Sequence, residues 1–318
     1  MPVTTEMDGD ELDAEDAWHL VRHHGLGRVA VESFLRFRYG DGFSSSRALA
    51  LQTALALVPF LLALAGLVAD LDEERPARVV ASVVDALSPG SGDGDALAEA
   101  VGGSDEDDRA GEVALVLGLG FSLLSMTTAM AQVERGTNRI YGIRRDRPAM
   151  QKYGRAAVLT LVLAAPAAAG FVMIVGGAAL GEAMAVNYGW SGRTLALWGV
   201  ARWPVGLGLL VLMIAVLLDH APRRRQPALS WLALGAGVAV VLSAMATLAL
   251  AAYVGLSASF GSVYGPLAGV MALLLWSLLS SVALFYGAAV CAQLEALRAG
   301  EVDPVYADPG RPEARRVD

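Results

Sequence analysis

The chain has 318 residues, of which 55% are hydrophobic and only 18% charged, with a mean hydropathy of +0.50 and a net charge of -8. Soluble domains carry about 25% charged residues, so this balance excludes an ordinary water-soluble globular protein. The one cysteine, Cys291, can close no internal disulfide, and four histidines (His19, His23, His24, His220) leave a zinc or haem enzyme without ligands, so no metal or cofactor is expected.

In chain order, residues 1–17 are acidic and polar, with neither the basic n-region nor the apolar h-region of a cleaved signal peptide, and are expected to form a disordered tail. Residues 18–45 mix Trp18, Val21, Val29, Phe34 and Phe37 with Arg22, Arg28, Arg36 and Arg38, which fits either an amphipathic segment on the cytoplasmic membrane face or a basic linker, with Gly25 and Gly27 as breaks.

Six apolar runs follow, at about 46–69, 113–132, 156–180, 195–218, 231–253 and 265–293. At 1.5 Å per residue each is long enough to cross a hydrocarbon layer of about 30 Å as a helix. The first, with Asp41, Ser44 or Ser45 as candidate caps, carries Gln52, Thr53 and a kinking Pro59. Residues 70–112 hold thirteen acids against three arginines; a short amphipathic helix is predicted over Pro76–Leu87, and without calcium-loop spacing the rest reads as a solvated acidic loop. The second run is the most polar (Ser122, Ser125, Thr127, Thr128, Gln132) and passes directly into a basic stretch from Arg135 to Arg155. The third contains Pro166 and is followed by a predicted loop at 181–193 bearing Glu182, Asn187, Tyr188 and Trp190. The fourth has Arg202 beside Trp203 and Pro204, close enough to the helix start to snorkel. Residues 219–227 are basic, residues 254–266 form a Gly/Ser-rich turn, and the polar, proline-broken tail at 297–318 is expected to be disordered.

The basic segments alternate with acidic or nearly uncharged ones. The positive-inside rule therefore places both termini and the basic loops in the cytoplasm and the acidic loop outside. The fold class is all-α: a multi-pass plasma (inner) membrane protein whose domain at 46–296 bundles six transmembrane helices.

The bundle interior is almost free of ionisable groups, which argues against ion-coupled pumping; no Walker loop, dinucleotide fingerprint or Ser–His arrangement occurs, so no enzyme is expected. The soluble parts are too small and too acidic for nucleic-acid binding. Two places stand out. Gln132, Glu134, Arg135, Asn138 and Arg139 form paired i,i+4 polar faces where the second crossing ends, which reads either as a mouth for an anionic headgroup or solute or as an anchoring collar. Gly261, Tyr264 and Gly265 open the last crossing, as an outer gate or a packing point. Arg223, Arg224 and Arg225 either touch anionic lipid or fix topology.

Three motifs resemble the YihY/BrkB family of inner-membrane proteins (virulence factor BrkB-like): SRALALQTALALVPFLLAL with Pro59; QVERGTNRIYGI with Asn138, Arg139 and Gly142; and the closing SVYGPLAGVMALLLWSLLSSVALFYGAAVCAQLE with Tyr264, Gly265, Trp276, Gly287, Ala288, Gln293 and Glu295. Thr53 and Leu57 depart from a Tyr/Phe-x-x-x-Ser arrangement common in that family. The resemblance implies a six-helix bundle in the plasma membrane and brings an old ribonuclease label for which the residues offer no site. The expected function is translocation of an amphiphilic or small polar substrate, with Gln52, Thr53, Pro59 and Thr128 along the path; the alternative is a non-transporting envelope scaffold. Membrane lipids and a homodimer are the expected partners.

Overall fold

The structure is a computed structural model and describes residues 12–69, 108–256 and 267–300. Among these residues the secondary structure is entirely helical: α1 (Ala14–His24), α2 (Leu26–Tyr39), α3 (Gly42–Ala69), α4 (Asp108–Ile140), α5 (Ala149–Phe171), a π turn (Val172–Gly176), α6 (Gly177–Tyr188), α7 (Gly192–His220), α8 (Leu229–Leu256) and α9 (Ala268–Arg298). Five stretches are long and apolar enough to cross a membrane: Val116–Ile140, Ala149–Tyr188, Gly192–His220, Leu229–Leu256 and Ala268–Arg298. The remaining long helix, α3, has 28 residues with Pro59 inside it. The predicted helix at Pro76–Leu87 and the residues Gly261, Tyr264 and Gly265 lie outside the described residues.

The helices start and stop where local chemistry dictates. Asp13 caps α1, its carboxylate accepting from the backbone N–H of Glu15 (2.9 Å) and Asp16 (3.1 Å). The helix therefore begins at Ala14, inside the stretch expected to be a disordered tail. Gly25, at φ 84°, splits α1 from α2, a backbone conformation that a side chain would strain. The carbonyl of Asp41 accepts the first bond of α3 from Ser45 at 2.9 Å.

Expected loops are corrected at several places: residues 108–112 already belong to α4 and residues 254–256 still belong to α8. Residues 181–188 are helix rather than loop. The polar Glu182 and Asn187 suggest a loop, but no strong breaker stands before Gly189, which ends α6 in the left-handed region at φ 70°.

Helices α3, α4, α5, α7, α8 and α9 each pack against two neighbours in that order, and α9 returns to α3, so the six close a ring. Helices α1 and α2 lie against one end, touching α8 and α9. This end also carries the loops 141–148 and 221–228 and is called the basic end below. Packing is uneven along the bundle. At the basic end every residue of α9 from Gly287 to Leu297 is buried, against Trp231, Leu232, Gly235 and Ala236 of α8. Toward the far end no residue of α8 from Val241 to Leu256 is buried, and none of α9 from Ala268 to Trp276.

Glycines permit the tight half. A Cβ on Gly287 would stand 2.5 Å from the Gly235 carbonyl oxygen and 2.9 Å from Ala239 Cβ, and neither backbone nor Cβ can swing aside. Gly287→Ala should push α8 from α9 and cost about 1–3 kcal/mol, the usual range for overpacking. Gly237→Ala, where nothing lies within 4 Å, should be neutral or slightly stabilising. Thermal unfolding in detergent checks this; an unchanged melting temperature for Gly287→Ala would contradict the packing described.

Candidate functional site

Helix α4 ends in a complete Schellman motif: Ile143 N–H bonds the Asn138 carbonyl (2.7 Å) and Gly142 N–H bonds the Arg139 carbonyl (3.1 Å). Gly142 sits at φ 78°, which is why glycine follows Tyr141 there. This sharp stop turns the chain back so that Asp146 and Arg147 meet the residues of the helix they have just left.

The i,i+4 pairs divide as their spacing requires. Glu134 and Asn138 point inward and are buried, whereas Arg135 and Arg139 are exposed. Asn138 uses both ends of its amide: Nδ2 donates to Asp146 Oδ1 (3.0 Å) and Oδ1 accepts from the backbone N–H of Arg223 (2.8 Å). Glu134 pairs with Arg147 at 3.0 Å, and the same guanidinium donates to the carbonyls of Ala221 (3.0 Å) and Pro222 (2.8 Å). Asp146 also receives Lys152 (3.2 Å) and Arg135 (3.4 Å). Partial burial alone would raise the Asp146 carboxyl, but the hydrogen bonds from Asn138 and Lys152 outweigh it and hold the group below the usual carboxylate range.

A second group lies beside the first. Arg224, almost fully buried, pairs with Glu295 of α9 and stacks over the Tyr141 ring at 4.7 Å. Burial, reinforced by the nearby Glu295, lifts the Tyr141 phenol well above its ordinary value, so it stays a neutral O–H. Arg36 Nε donates to Gln293 Oε1 (2.9 Å), Gln293 Nε2 donates to Glu32 Oε2 (3.0 Å), and Tyr286 O–H donates to the Ala30 carbonyl (3.0 Å). Three stretches far apart in sequence, α2, the end of α4 with its loop, and the end of α9, are thus joined in one polar layer.

The other expected site residues are scattered. Gln132 is half-buried on α4. Gln52, Thr53 and Pro59 are half-buried on α3, with Gln52 Oε1 buried and unpartnered. Thr128 is exposed, its hydroxyl turned back onto the Ser125 carbonyl at 2.7 Å. Arg139 lines a shallow cavity of about 140 Å³ where the α2–α3 corner meets the α4 cap, with Tyr39, Asp41 and Arg144. Among the described residues no group of three or more His, Cys, Asp or Glu could hold a metal ion. Asp146, Arg147, Tyr141, Arg36 and Glu32 are absent from the expected set. One signal was available: Asp146 is the single acid among the bases of residues 141–155.

The fold and this layer define a multi-pass, all-helical membrane protein whose basic-end loops are bound to the bundle by buried charges. The chain belongs to the virulence factor BrkB family, whose model matches residues 33–309. It is 25% identical over 263 residues, 83% of this chain and 94% of the relative, to the ribonuclease-like protein YfkH of Bacillus subtilis (strain 168). No solved structure matches.

Two predictions follow from the pairings. Glu295→Ala takes the counter-charge from the Arg224 guanidinium in a dry site and should cost about 3–5 kcal/mol, whereas the apolar pair Arg224→Met with Glu295→Leu should recover most of that loss. Equilibrium unfolding of the parent and these two variants checks it. Because the Asp146 carboxyl is depressed, its contribution is full above the ordinary carboxylate range and is lost as pH falls through its lowered value. Hydrogen exchange of residues 141–148 should therefore be unaffected by this group from pH 7 to about pH 5, and Asp146→Asn at pH 7 should loosen the loop as strong acid does in the parent.

Proposed function

We propose that this protein is a plasma-membrane translocator, with both termini and the basic end in the cytoplasm, that passes an amphiphilic or small polar substrate without ion coupling. The observation that carries this reading is the uneven packing of the ring. A purely structural bundle would bury one face of each helix along its whole length, yet α8 from Val241 and α9 as far as Trp276 bury no residue. In this reading the less buried far half admits the substrate, and the tight contact of Gly235 with Gly287 limits how deep it goes before the helices part. The cavity beside Arg139 and Arg144 gives an anionic headgroup a place to settle at the other face.

An enzymatic role is not part of the proposal. The ribonuclease-like wording belongs to the name of YfkH. Hydrolysis of RNA needs a placed acid, base or metal, and the buried carboxylates of the polar layer, Glu134 and Glu295, are each held by an arginine.

Proteoliposomes provide the test. Purified protein should accelerate lipid scrambling or release of a trapped small solute, and Arg139→Gln should slow it severalfold without changing folded yield. A Thr247→Cys variant on a Cys291→Ala background should be labelled by a membrane-impermeant maleimide from the far side. If neither lipid nor solute moves and position 247 stays unlabelled, the translocator reading fails and the envelope scaffold takes its place.

A further inference from the structure

From Ala156 through α9 to Leu294, among the described residues, few charged groups lie at membrane depth. Helix α8 has no charged residue, α9 has none before Glu295, Arg193 lies at the start of α7, and Glu182 is exposed midway along α6, six residues before its far end at Tyr188. The deepest is Arg202, ten residues into α7, about 15 Å along the helix from Gly192. Helical side chains lean toward the N-terminus, so its stem points to the far end, but it does not lie out along the surface. It is half-buried in the seam between α7 and the start of α6, and its Nε is buried without a hydrogen-bond partner.

The surroundings are shaped to hold this side chain. Trp198, Arg202 and Gly206 follow at i,i+4 on the face of α7 that meets the π turn and α6. Gly177, where the π turn passes into α6, has no Cβ because one would stand 2.9 Å from Arg202 Cδ and 3.3 Å from Nη1. On the same wall the Gly177 carbonyl is already taken by Trp198 Nε1 at 2.6 Å. The Trp203 ring lies 5.4 Å from the guanidinium and is itself exposed to the bilayer. No carboxylate pairs with Arg202 among the described residues. A guanidinium at this depth is costly without a counter-charge, and its planar fork fits two oxygens of one phosphate.

We propose that Arg202 is a lipid site: it binds the phosphodiester of an anionic phospholipid drawn down from the far-side leaflet into the α6–α7 seam, with Trp203 against the glycerol and upper acyl region. The seam opens to the bilayer, so a lipid reaches it by lateral movement, and the site is independent of the translocation reading.

Native mass spectrometry of the full chain released from phosphatidylglycerol or phosphatidylcholine nanodiscs tests it. The parent should retain phosphatidylglycerol, and Arg202→Gln should retain at least tenfold less, with Arg202→Lys between them. Gly177→Ala keeps the charge but crowds the guanidinium and should also lower retention, which keeps the test open if Arg202→Gln does not fold. Phosphatidylglycerol should raise the melting temperature of the parent more than phosphatidylcholine does, and inorganic phosphate in detergent should not. Undiminished retention in Arg202→Gln, or in Gly177→Ala if that is the variant that folds, would overturn the site. Equal retention of both lipids by the parent, or equal protection by phosphate, would overturn the lipid assignment. Lost retention with intact scrambling in proteoliposomes leaves the translocator reading standing; the converse leaves this site standing.

Discussion

The buried pair of Arg224 and Glu295 is the constraint around which the basic end is arranged. Desolvating two charges costs several kcal/mol per ion, and their attraction offsets that only when geometry and neighbours are right. Here the neighbours come from every direction: Tyr141 from the end of α4 presents its ring to the guanidinium, and Gln293, two residues before Glu295, ties α9 to Arg36 of α2. Such a pair adds little net stability over an apolar one, but it penalises every arrangement in which one partner is missing. It therefore fixes position: the 221–228 loop, α4 and α9 can meet in one register only.

That register needs close backbones, which explains where the small residues fall. Gly235 and Gly287 let α8 and α9 touch main chain to main chain, and Gly136 leaves room for the Phe285 ring between α4 and α9. Without these approaches Glu295 could not reach Arg224, because a carboxylate side chain spans only a few ångströms. Polar specificity and glycine packing are two halves of one device, and both lie in the basic half of the bundle.

The helices were legible from the sequence because apolar length is a strong signal, and the observed bounds extend the expected crossings by a few residues at most ends. The extension of the third crossing over residues 181–188 was not legible, since Glu182 and Asn187 carry the composition of a loop while their backbone stays helical. The place of the polar layer was legible at Glu134, Asn138, Gln293 and Glu295; its wiring was not. Counting bases along the chain sums Arg147, Lys152 and Arg224 into one positive-inside signal, yet each has a specific carboxylate partner. Pairing depends on the Schellman turn at Gly142, which folds Asp146 and Arg147 back, and nothing in a charge count anticipates that. Glu134 and Asn138, read from the sequence as part of either a mouth or an anchoring collar, hold the 141–148 and 221–228 loops.

The same unevenness indicates which end of the molecule can move. Opening the basic end would separate Arg224 from Glu295, Glu134 from Arg147 and the two sides of Asn138, leaving several buried polar groups stranded together, each at a cost of about 1–3 kcal/mol or more. Among the described residues no residue of α8 from Val241 or of α9 up to Trp276 is buried, and a cross-helix hydrogen bond there, Trp276 Nε1 to Thr247 Oγ1 at 3.1 Å, is exposed. Conformational change is drawn from the parts of a fold with the least buried area and the fewest buried hydrogen bonds. Among the described residues those parts are the far halves of α8 and α9, beyond the glycine contact at 235 and 287.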